Sequence, residues 1–200
     1  MSVREERHEA TREKILKAAL ELIDRDGVNK FSLRAVARKV KYSPAGLYEY
    51  FDNKDDLINS LCQLADNKLA SYLSRVSVDD LPYHTYMVEM GLAYIRFARE
   101  EPSYFRLGLV TQASKRESLV APADEEGAYS VLLGGVQMGI EQGYFVSQES
   151  FGAEQIAYTL WSIVHGMAML QTSYLTGFEA NFQQADREAL QRVVSGLMQQ

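Results

Sequence analysis

Apolar residues recur at intervals of three and four positions along most of this 200-residue chain, and this spacing predicts an all-α protein. Residues 9–26 form the first predicted helix, with Ile15 and Leu22 on one face. Gly27 is placed to end that helix in a left-handed C′ conformation. The chain has only 4 prolines and no run of alternating β-branched residues, which agrees with an architecture of about nine helices.

Similar spacing predicts six helices in the second part of the chain. Gly143 and Gly177 are placed to end two of them, and residues 111–123 are expected to form an exposed loop. The predicted helices lie at about 54–76, 79–101, 102–110, 124–142, 151–176 and 183–199.

The predicted helix at 151–176 is apolar on nearly every side from Ile156 onward. A helix of this kind is buried on all sides, so in a protein this small one side should pack against another chain. The final helix, at 183–199, adds Leu190 and Val194. The economical interpretation is a homodimer in which these two helices of each chain form a symmetric four-helix interface.

Two short helices joined by a tight turn are predicted nearer the N-terminus. Ser32 can cap the first, and Ser43 can cap the second, in which Pro44 takes the first helical position. Each is expected to have about two turns, the second one burying Leu47 and Phe51. Such a pair is either a helix-turn-helix, whose second helix enters the major groove of DNA, or an ordinary αα-hairpin within a bundle.

Side chains that suit phosphate oxygens gather around this pair of helices and favour the DNA-binding interpretation. The distribution of charge agrees with it, because residues 1–54 hold 12 Lys and Arg against 9 Asp and Glu, whereas the whole chain has a net charge of -6. A basic head on an acidic body can dock one end on DNA. The candidate phosphate-binding residues are Arg34, Arg38, Lys41, Tyr42, Tyr48, Tyr50 and Lys54.

The residues Ser43-Pro-Ala-Gly-Leu-Tyr-Glu-Tyr-Phe-Asp-Asn-Lys54, followed by Asp56-Leu57, resemble the recognition-helix signature of the TetR/AcrR family of transcriptional regulators. The resemblance implies an N-terminal DNA-binding domain, here 1–54, and a helical domain for effector binding and dimerisation, here 55–200. It also implies a dimer on a palindromic operator in double-stranded DNA, with Tyr48 and Lys54 on phosphates. The residues implied to face bases or to touch DNA nearby are Ser32, Arg34, Ser43, Pro44, Ala45 and Gly46.

Two features depart from the family pattern. Lys41 stands where the family usually has glycine in the turn, and Tyr42 replaces a small apolar residue. If that turn requires a positive φ, Lys41 stores roughly 1 kcal/mol of strain. The first turn of the second helix also offers no long hydrogen-bonding side chain, and Glu49 is acidic. Base recognition is therefore expected to use contacts with thymine methyl groups, Arg34, Tyr42 and the shape of the DNA.

Other features bound the cellular context. Cys62 is the only cysteine, which excludes an intrachain disulfide and a cysteine-based metal site. The charged N-terminus lacks an apolar signal segment, so a cytoplasmic location is expected. Its basic residues Arg4, Arg7 and Arg12 are interpreted as either a flexible arm or a disordered tail. Residues 155–178 lack charged side chains, but polar residues interrupt them, so no membrane span is expected.

Methionine and aromatic residues at helical spacing fill the second part of the chain. They form either a well-packed core or the wall of a mostly apolar cavity. The family resemblance implies a small effector bound in this region, and Trp161-Ser-Ile-Val-His-Gly166 resembles the Trp…His-Gly signature of one C-terminal subfamily. His165 is either a hydrogen-bonded core residue or a polar contact to the effector. The predicted cavity is lined by Met90, Tyr94, Phe105, Tyr129, Trp161 and His165.

Neither catalysis nor a metal or cofactor is expected, because the sequence holds no nucleophile–base pair, phosphate-binding loop or clustered metal ligands. We predict a DNA-binding transcriptional regulator, most simply a dimeric repressor released by a small apolar or amphipathic ligand. The alternative is an architectural or division-associated DNA-binding protein whose body is a protein-interaction module, which a solid core would favour. A third interpretation, an enzyme that carries the same hairpin, lacks a candidate acid–base pair.

Overall fold

A computed structural model describes residues 2–27, 30–110 and 127–198. In these ranges the chain forms α-helices and isolated β-bridges but no strand, which confirms the predicted all-α class. The helices are α1 (Val3–Asp26), α2 (Leu33–Val40), α3 (Pro44–Leu47), α4 (Lys54–Leu73), α5 (Tyr83–Glu100), α6 (Pro102–Val110), α7 (Ala128–Glu141), α8 (Ala153–Met169) and α9 (Phe182–Leu197).

The helices fall into two compact units. The first comprises Met1–Ala65 and Ser103–Ala113, and the second comprises Asp66–Pro102 and Ser114–Gln200. One boundary therefore lies within α4, and another follows the first residue of α6. The predicted loop at 111–123 lies outside the described residues, and no helix among those described is long and apolar enough to cross a membrane.

The first unit is built around the apolar faces of α1 to α4. Ile15, Val36, Leu47 and Leu57 come from four different helices, and each is completely buried. Phe51 follows α3 and is almost as inaccessible. Burial of a side chain of this size contributes about 1.5–3 kcal/mol, so these contacts fix the orientation of the two short helices.

In the second unit α5 packs against both α8 and α9, while α7 packs against α8. Gly139 of α7 and Tyr83 of α5 lie in close contact. The Tyr83 hydroxyl donates a hydrogen bond of 2.9 Å to the carbonyl oxygen of Gly135, and its ring stacks on Tyr144 at 4.5 Å between centroids. A Cβ atom at Gly139 would overlap the Tyr83 ring and hydroxyl. Glycine is therefore required at this position.

Three local predictions are wrong. The N-terminal basic residues are neither a flexible arm nor a disordered tail, because α1 already begins at Val3 with a capping box between Ser2 and Glu5. Helix α3 has one turn rather than two and ends at Leu47. Gly27 has the expected positive φ of 81°, but its ψ of 155° is extended rather than left-handed helical.

The predicted helix at 151–176 is divided in the structure. Helix α8 ends at Met169, and a π-helical turn continues it over Leu170–Tyr174. A π-turn inserts an extra residue into a helix and so rotates the side chains that follow it. Here it accompanies an inward-facing Gln171, whose amide nitrogen donates at 2.8 Å to the buried carboxylate of Asp186 on α9.

Candidate nucleic-acid interface and effector site

The first helix of the predicted DNA-binding pair begins as its sequence indicates. The Ser32 hydroxyl accepts a hydrogen bond of 3.3 Å from the backbone N–H of Ala35, which satisfies one of the free donors at the helix start. Val36 and Val40 turn inward and are buried. Arg34 lies in the first turn of α2 and is exposed, so its guanidinium is available to a ligand of this face.

The turn after α2 is closed by a lysine in the left-handed conformation. Lys41 has φ 61° and ψ 39°, and it is the one non-glycine residue with positive φ in the described parts of the chain. The backbone N–H of Tyr42 donates at 2.9 Å to the carbonyl oxygen of Ala37, which is the six-residue bond of a Schellman motif. Lys41 therefore has the positive φ on which the strain considered for this turn depends.

Lys41→Gly is expected to stabilise the first unit by about 1 kcal/mol, because glycine adopts this backbone conformation without a Cβ clash. The same change is expected to weaken DNA binding, since it removes an exposed cation from the turn. Urea unfolding and fluorescence anisotropy with labelled duplex DNA measure the two effects. Lys41→Gln is the matched control: it keeps the strain and removes the charge, so only DNA binding should change. Loss of stability in Lys41→Gly would contradict the strain.

Helix α3 presents its first turn to solvent. The Ser43 hydroxyl accepts a hydrogen bond of 3.0 Å from the N–H of Gly46, which leaves the hydroxyl proton available for donation. Pro44 and Ala45 are exposed, whereas Leu47 is fully buried and fastens the helix to the core. A protruding helix start with small side chains can approach a groove floor closely.

Tyrosine side chains flank this exposed turn. Tyr48 is 59% exposed directly after α3. Tyr50 is half-buried, and its ring stacks on that of His8 from α1 with centroids 4.5 Å apart and an interplanar angle of 22°. Tyr42 meets Tyr50 edge-on at 6.3 Å. His8 was not among the predicted site residues, because no local pattern links it to a residue so far along the chain.

Lys54 opens α4 and lies with its ammonium group 5.6 Å from the centre of the Phe31 ring. Its side chain is half-buried, so it is held by the core rather than fully extended into solvent. All twelve residues predicted to bind DNA or its phosphates, Arg38 included, thus lie in the first unit. Nine are exposed, and Gly46, Tyr50 and Lys54 are partly buried.

A polar and aromatic cluster lies inside the second unit. Tyr94 Oη lies 2.7 Å from His165 Nδ1, and Trp161 Nε1 donates to the same Oη at 3.4 Å. The ring of Tyr129 meets that of Trp161 edge-on at 6.2 Å. Four of the six predicted effector-binding residues are therefore brought together by α5, α7 and α8.

The cluster is uncharged at neutral pH. Burial raises the pKa of Tyr94 to about 12, an effect that the hydrogen bond from Trp161 opposes. Burial lowers the pKa of His165, which keeps its imidazole neutral and able to accept the Tyr94 proton at Nδ1. The Tyr129 hydroxyl is buried and has no hydrogen-bond partner among the described residues. Burial, followed by the charge of Glu154, raises its pKa.

The remaining two predicted effector-binding residues lie elsewhere. Met90 is buried on α5, one turn before Tyr94. Phe105 is buried on α6, in the first unit. Their part in an effector site stays a prediction.

Two family models match the chain, one over each part. Residues 15–61 match the model described as bacterial regulatory proteins, tetR family. Residues 87–197 match the model described as a tetracyclin repressor-like C-terminal domain, and this match alone covers more than half of the chain.

Individual relatives agree with these matches. The HTH-type transcriptional regulator YobS of Bacillus subtilis, described as uncharacterized, is 25% identical over 94% of this chain and 93% of its own length. The HTH-type transcriptional regulator UidR of Escherichia coli is 33% identical over 40% of each chain. The crystal structure of a TetR family transcription regulator from Marinobacter aquaeolei has a TM-score of 0.78 at 16% identity, covering 98% of this chain and 100% of that one. That structural likeness bears on the fold alone.

Proposed function

We propose that this chain, which belongs to the TetR family of bacterial regulatory proteins, is a homodimeric repressor that a small amphipathic ligand releases from a palindromic operator. The chain is a transcriptional regulator with a helix-turn-helix DNA-binding domain, and it is not an enzyme. The observation that carries the proposal is the exposed first turn of α3, which is capped by Ser43 and flanked by Lys41 and Tyr48.

The surface of α8 and of the π-helical turn after it supports the dimer. Tyr158, Ser162, Gly166, Leu170 and Tyr174 follow one another at intervals of four residues, and all five are exposed in the single chain. None of them is charged, and Tyr174 is 84% exposed. A second copy of the chain that places α8 and α9 against their counterparts would cover this stripe in a closed, two-fold arrangement. Two DNA-binding heads would then meet two half-sites.

Leu170→Glu is expected to convert the dimer into a monomer at micromolar concentration, because it places two carboxylates in a symmetric apolar contact. Sedimentation velocity measures the mass. Val146→Glu introduces the same charge at an exposed apolar residue outside the stripe and should leave the dimer intact. A monomeric unmodified chain, or a dimeric Leu170→Glu variant, would contradict this interface.

The uncharged cluster in the second unit supports an effector site. It offers an aromatic wall from Trp161, a polar edge from Tyr94 and His165, and an unpaired hydroxyl from Tyr129. An amphipathic ligand matches these groups, and we include Met90, one turn before Tyr94, in its site. The ligand changes DNA affinity only if it binds the DNA-competent and incompetent conformations unequally.

Trp161 is the only tryptophan, so its fluorescence reports on this cluster alone. The amphipathic dye 1-anilinonaphthalene-8-sulfonate is expected to bind saturably, one per chain, with energy transfer from Trp161, and to weaken binding of labelled duplex DNA. Tyr129→Phe should change the affinity for the dye, whereas Tyr72→Phe, outside the cluster, should not. Absence of saturable binding would refute the effector site and favour the effector-free architectural protein.

Further assignments complete the proposal. We assign DNA binding to residues 1–54 and ligand binding with dimerisation to 55–200. We place the protein in the cytoplasm, where it can bind DNA. Membership of the subfamily with the Trp…His-Gly signature rests on Trp161-Ser-Ile-Val-His-Gly166 and stays a prediction.

A further inference from the structure

The first two turns of α1 form a helix although they bury no side chain. From Val3 to Ala10 every residue is exposed, and the first buried residue is Ile15. The segment is ordered at its start by the capping box, in which the Ser2 hydroxyl accepts from the N–H of Glu5 and the Glu5 carboxylate accepts from the N–H of Ser2. Capping of this kind contributes about 1 kcal/mol, so a further contact is needed to hold the exposed turns in place.

That contact is made to the residues around the helix-turn-helix. His8 stacks on Tyr50, which in turn meets Tyr42 in the turn before α3. One turn later, the guanidinium of Arg12 lies 5.2 Å from the centre of the Phe51 ring and donates to the Ser60 hydroxyl at 3.0 Å. The start of α1 is thus attached to the same surface that presents α3.

Charge is segregated on the two sides of this attachment. Viewed along the helix axis, successive residues are about 100° apart, so Arg4 and Arg7 lie about 40° and 100° to one side of His8. Glu5, Glu9 and Glu13 lie on the opposite side, at about 60°, 100° and 140°. Neither arginine forms an ion pair with a described residue. Lys14 continues the basic side at about 120°, whereas Arg12, at about 40° on the acidic side, is held against the Phe51 ring and pairs with Glu9.

We propose that the start of α1 is a second DNA-binding element, in which Arg4 and Arg7 bind backbone phosphates of double-stranded DNA beside the bases that α3 faces. His8 is a positioning residue in this element: it fixes the helix against Tyr50 and so holds the basic edge toward the duplex. An exposed, ordered helix edge with two free guanidiniums suits phosphates, because arginine binds them with two parallel hydrogen bonds. The acidic edge on the other side excludes the reverse orientation.

The test is the salt dependence of binding to labelled duplex DNA. In the double variant Arg4→Ala/Arg7→Ala, the slope of log K against log salt concentration should become shallower by about 0.9 for each lost phosphate contact. Affinity at 0.1 M salt should fall roughly tenfold or more for each head. The matched control Glu6→Gln/Glu13→Gln changes two exposed charges on the acidic side and should leave the slope unaltered. An unchanged slope in the arginine variant would overturn the proposal.

His8 is tested separately from the arginines. His8→Ala should reduce the slope in the same direction as the arginine variant, and adding it to that variant should have little further effect. His8→Phe retains a flat ring for Tyr50 and should restore binding. If His8→Ala weakened DNA binding and His8→Phe did not restore it, a positioning role for His8 would be contradicted. It would also be contradicted if the effects of His8→Ala and of the arginine variant were fully additive. Thermal unfolding of each variant separates these outcomes from a general loss of fold.

Discussion

Replacing Gly139 with alanine is expected to lower the free energy of unfolding by about 3 kcal/mol, because the new methyl group has no space beside Tyr83. Its Cβ would overlap the hydroxyl and the ring carbon of Tyr83 and would lie 2.9 Å from Cδ2 of Phe145. The Tyr83 side chain cannot easily move away from position 139. Its hydroxyl is bound to the Gly135 carbonyl, and its ring is held between Tyr144 and Phe145.

Urea unfolding followed by far-ultraviolet circular dichroism measures the loss, and the melting temperature should fall by roughly 6–12 °C for a chain of this length. Gly134 is the control on the same helix, because a Cβ there meets no atom within 4 Å. Gly134→Ala should be neutral or stabilising by about 0.5 kcal/mol, since alanine is the better helix former. Equal stability of the two variants would show that Tyr83 can move away from α7.

The features that could be predicted from the sequence are those set by neighbouring residues. Ser32 and Ser43 cap α2 and α3 because a hydroxyl before a helix reaches an N–H three residues on. The positive φ of Lys41 follows from the two residues available to close the turn. Such contacts span a few positions, so a local pattern contains nearly all of the information that determines them.

The length of α3 shows where such a pattern fails. Leu47 and Phe51 have helical spacing and both are buried, which predicted a second turn. The chain instead leaves the helix after Leu47, yet the N–H of Phe51 still donates at 3.0 Å to the Leu47 carbonyl. A non-regular turn thus buries the same two side chains as a helix would. Gly46 lowers the helix propensity of this segment by about 1 kcal/mol relative to alanine, which favours the early end.

Contacts between distant segments could not be predicted. His8 meets Tyr50, and Tyr83 meets Gly139, through the packing of whole helices, and each residue has ordinary surroundings in the sequence. Tyr94, Trp161 and His165 were predicted to line one cavity, but the hydrogen bonds among them were not predicted. The Trp161 N–H donates to the Tyr94 hydroxyl, which also faces His165 Nδ1. Both contacts depend on how α5 and α8 are rotated about their axes.

Tyr48→Phe is expected to weaken DNA binding by about 1.5 kcal/mol for each head, or roughly tenfold, because it removes the hydroxyl that we propose donates to a phosphate. The affinity of a dimer that binds DNA with both heads should fall roughly one hundredfold. Tyr48 is 59% exposed, so loss of its hydroxyl should not change the free energy of unfolding. The loss should be equal on a selected operator and on a random duplex, since a phosphate contact carries no direct sequence information.

Fluorescence anisotropy with both duplexes measures the two affinities. Tyr144→Phe removes the same hydroxyl from an exposed tyrosine of the second unit and should leave both unchanged. If Tyr48→Phe weakened binding to the selected operator alone, the hydroxyl would be contacting a base edge, and Tyr48 would be a determinant of specificity. If neither affinity changed, the phosphate contact implied by the Leu-Tyr pair in the recognition signature would be absent from this protein. The capped turn of α3 and Lys41 would then have to provide the binding energy in its place.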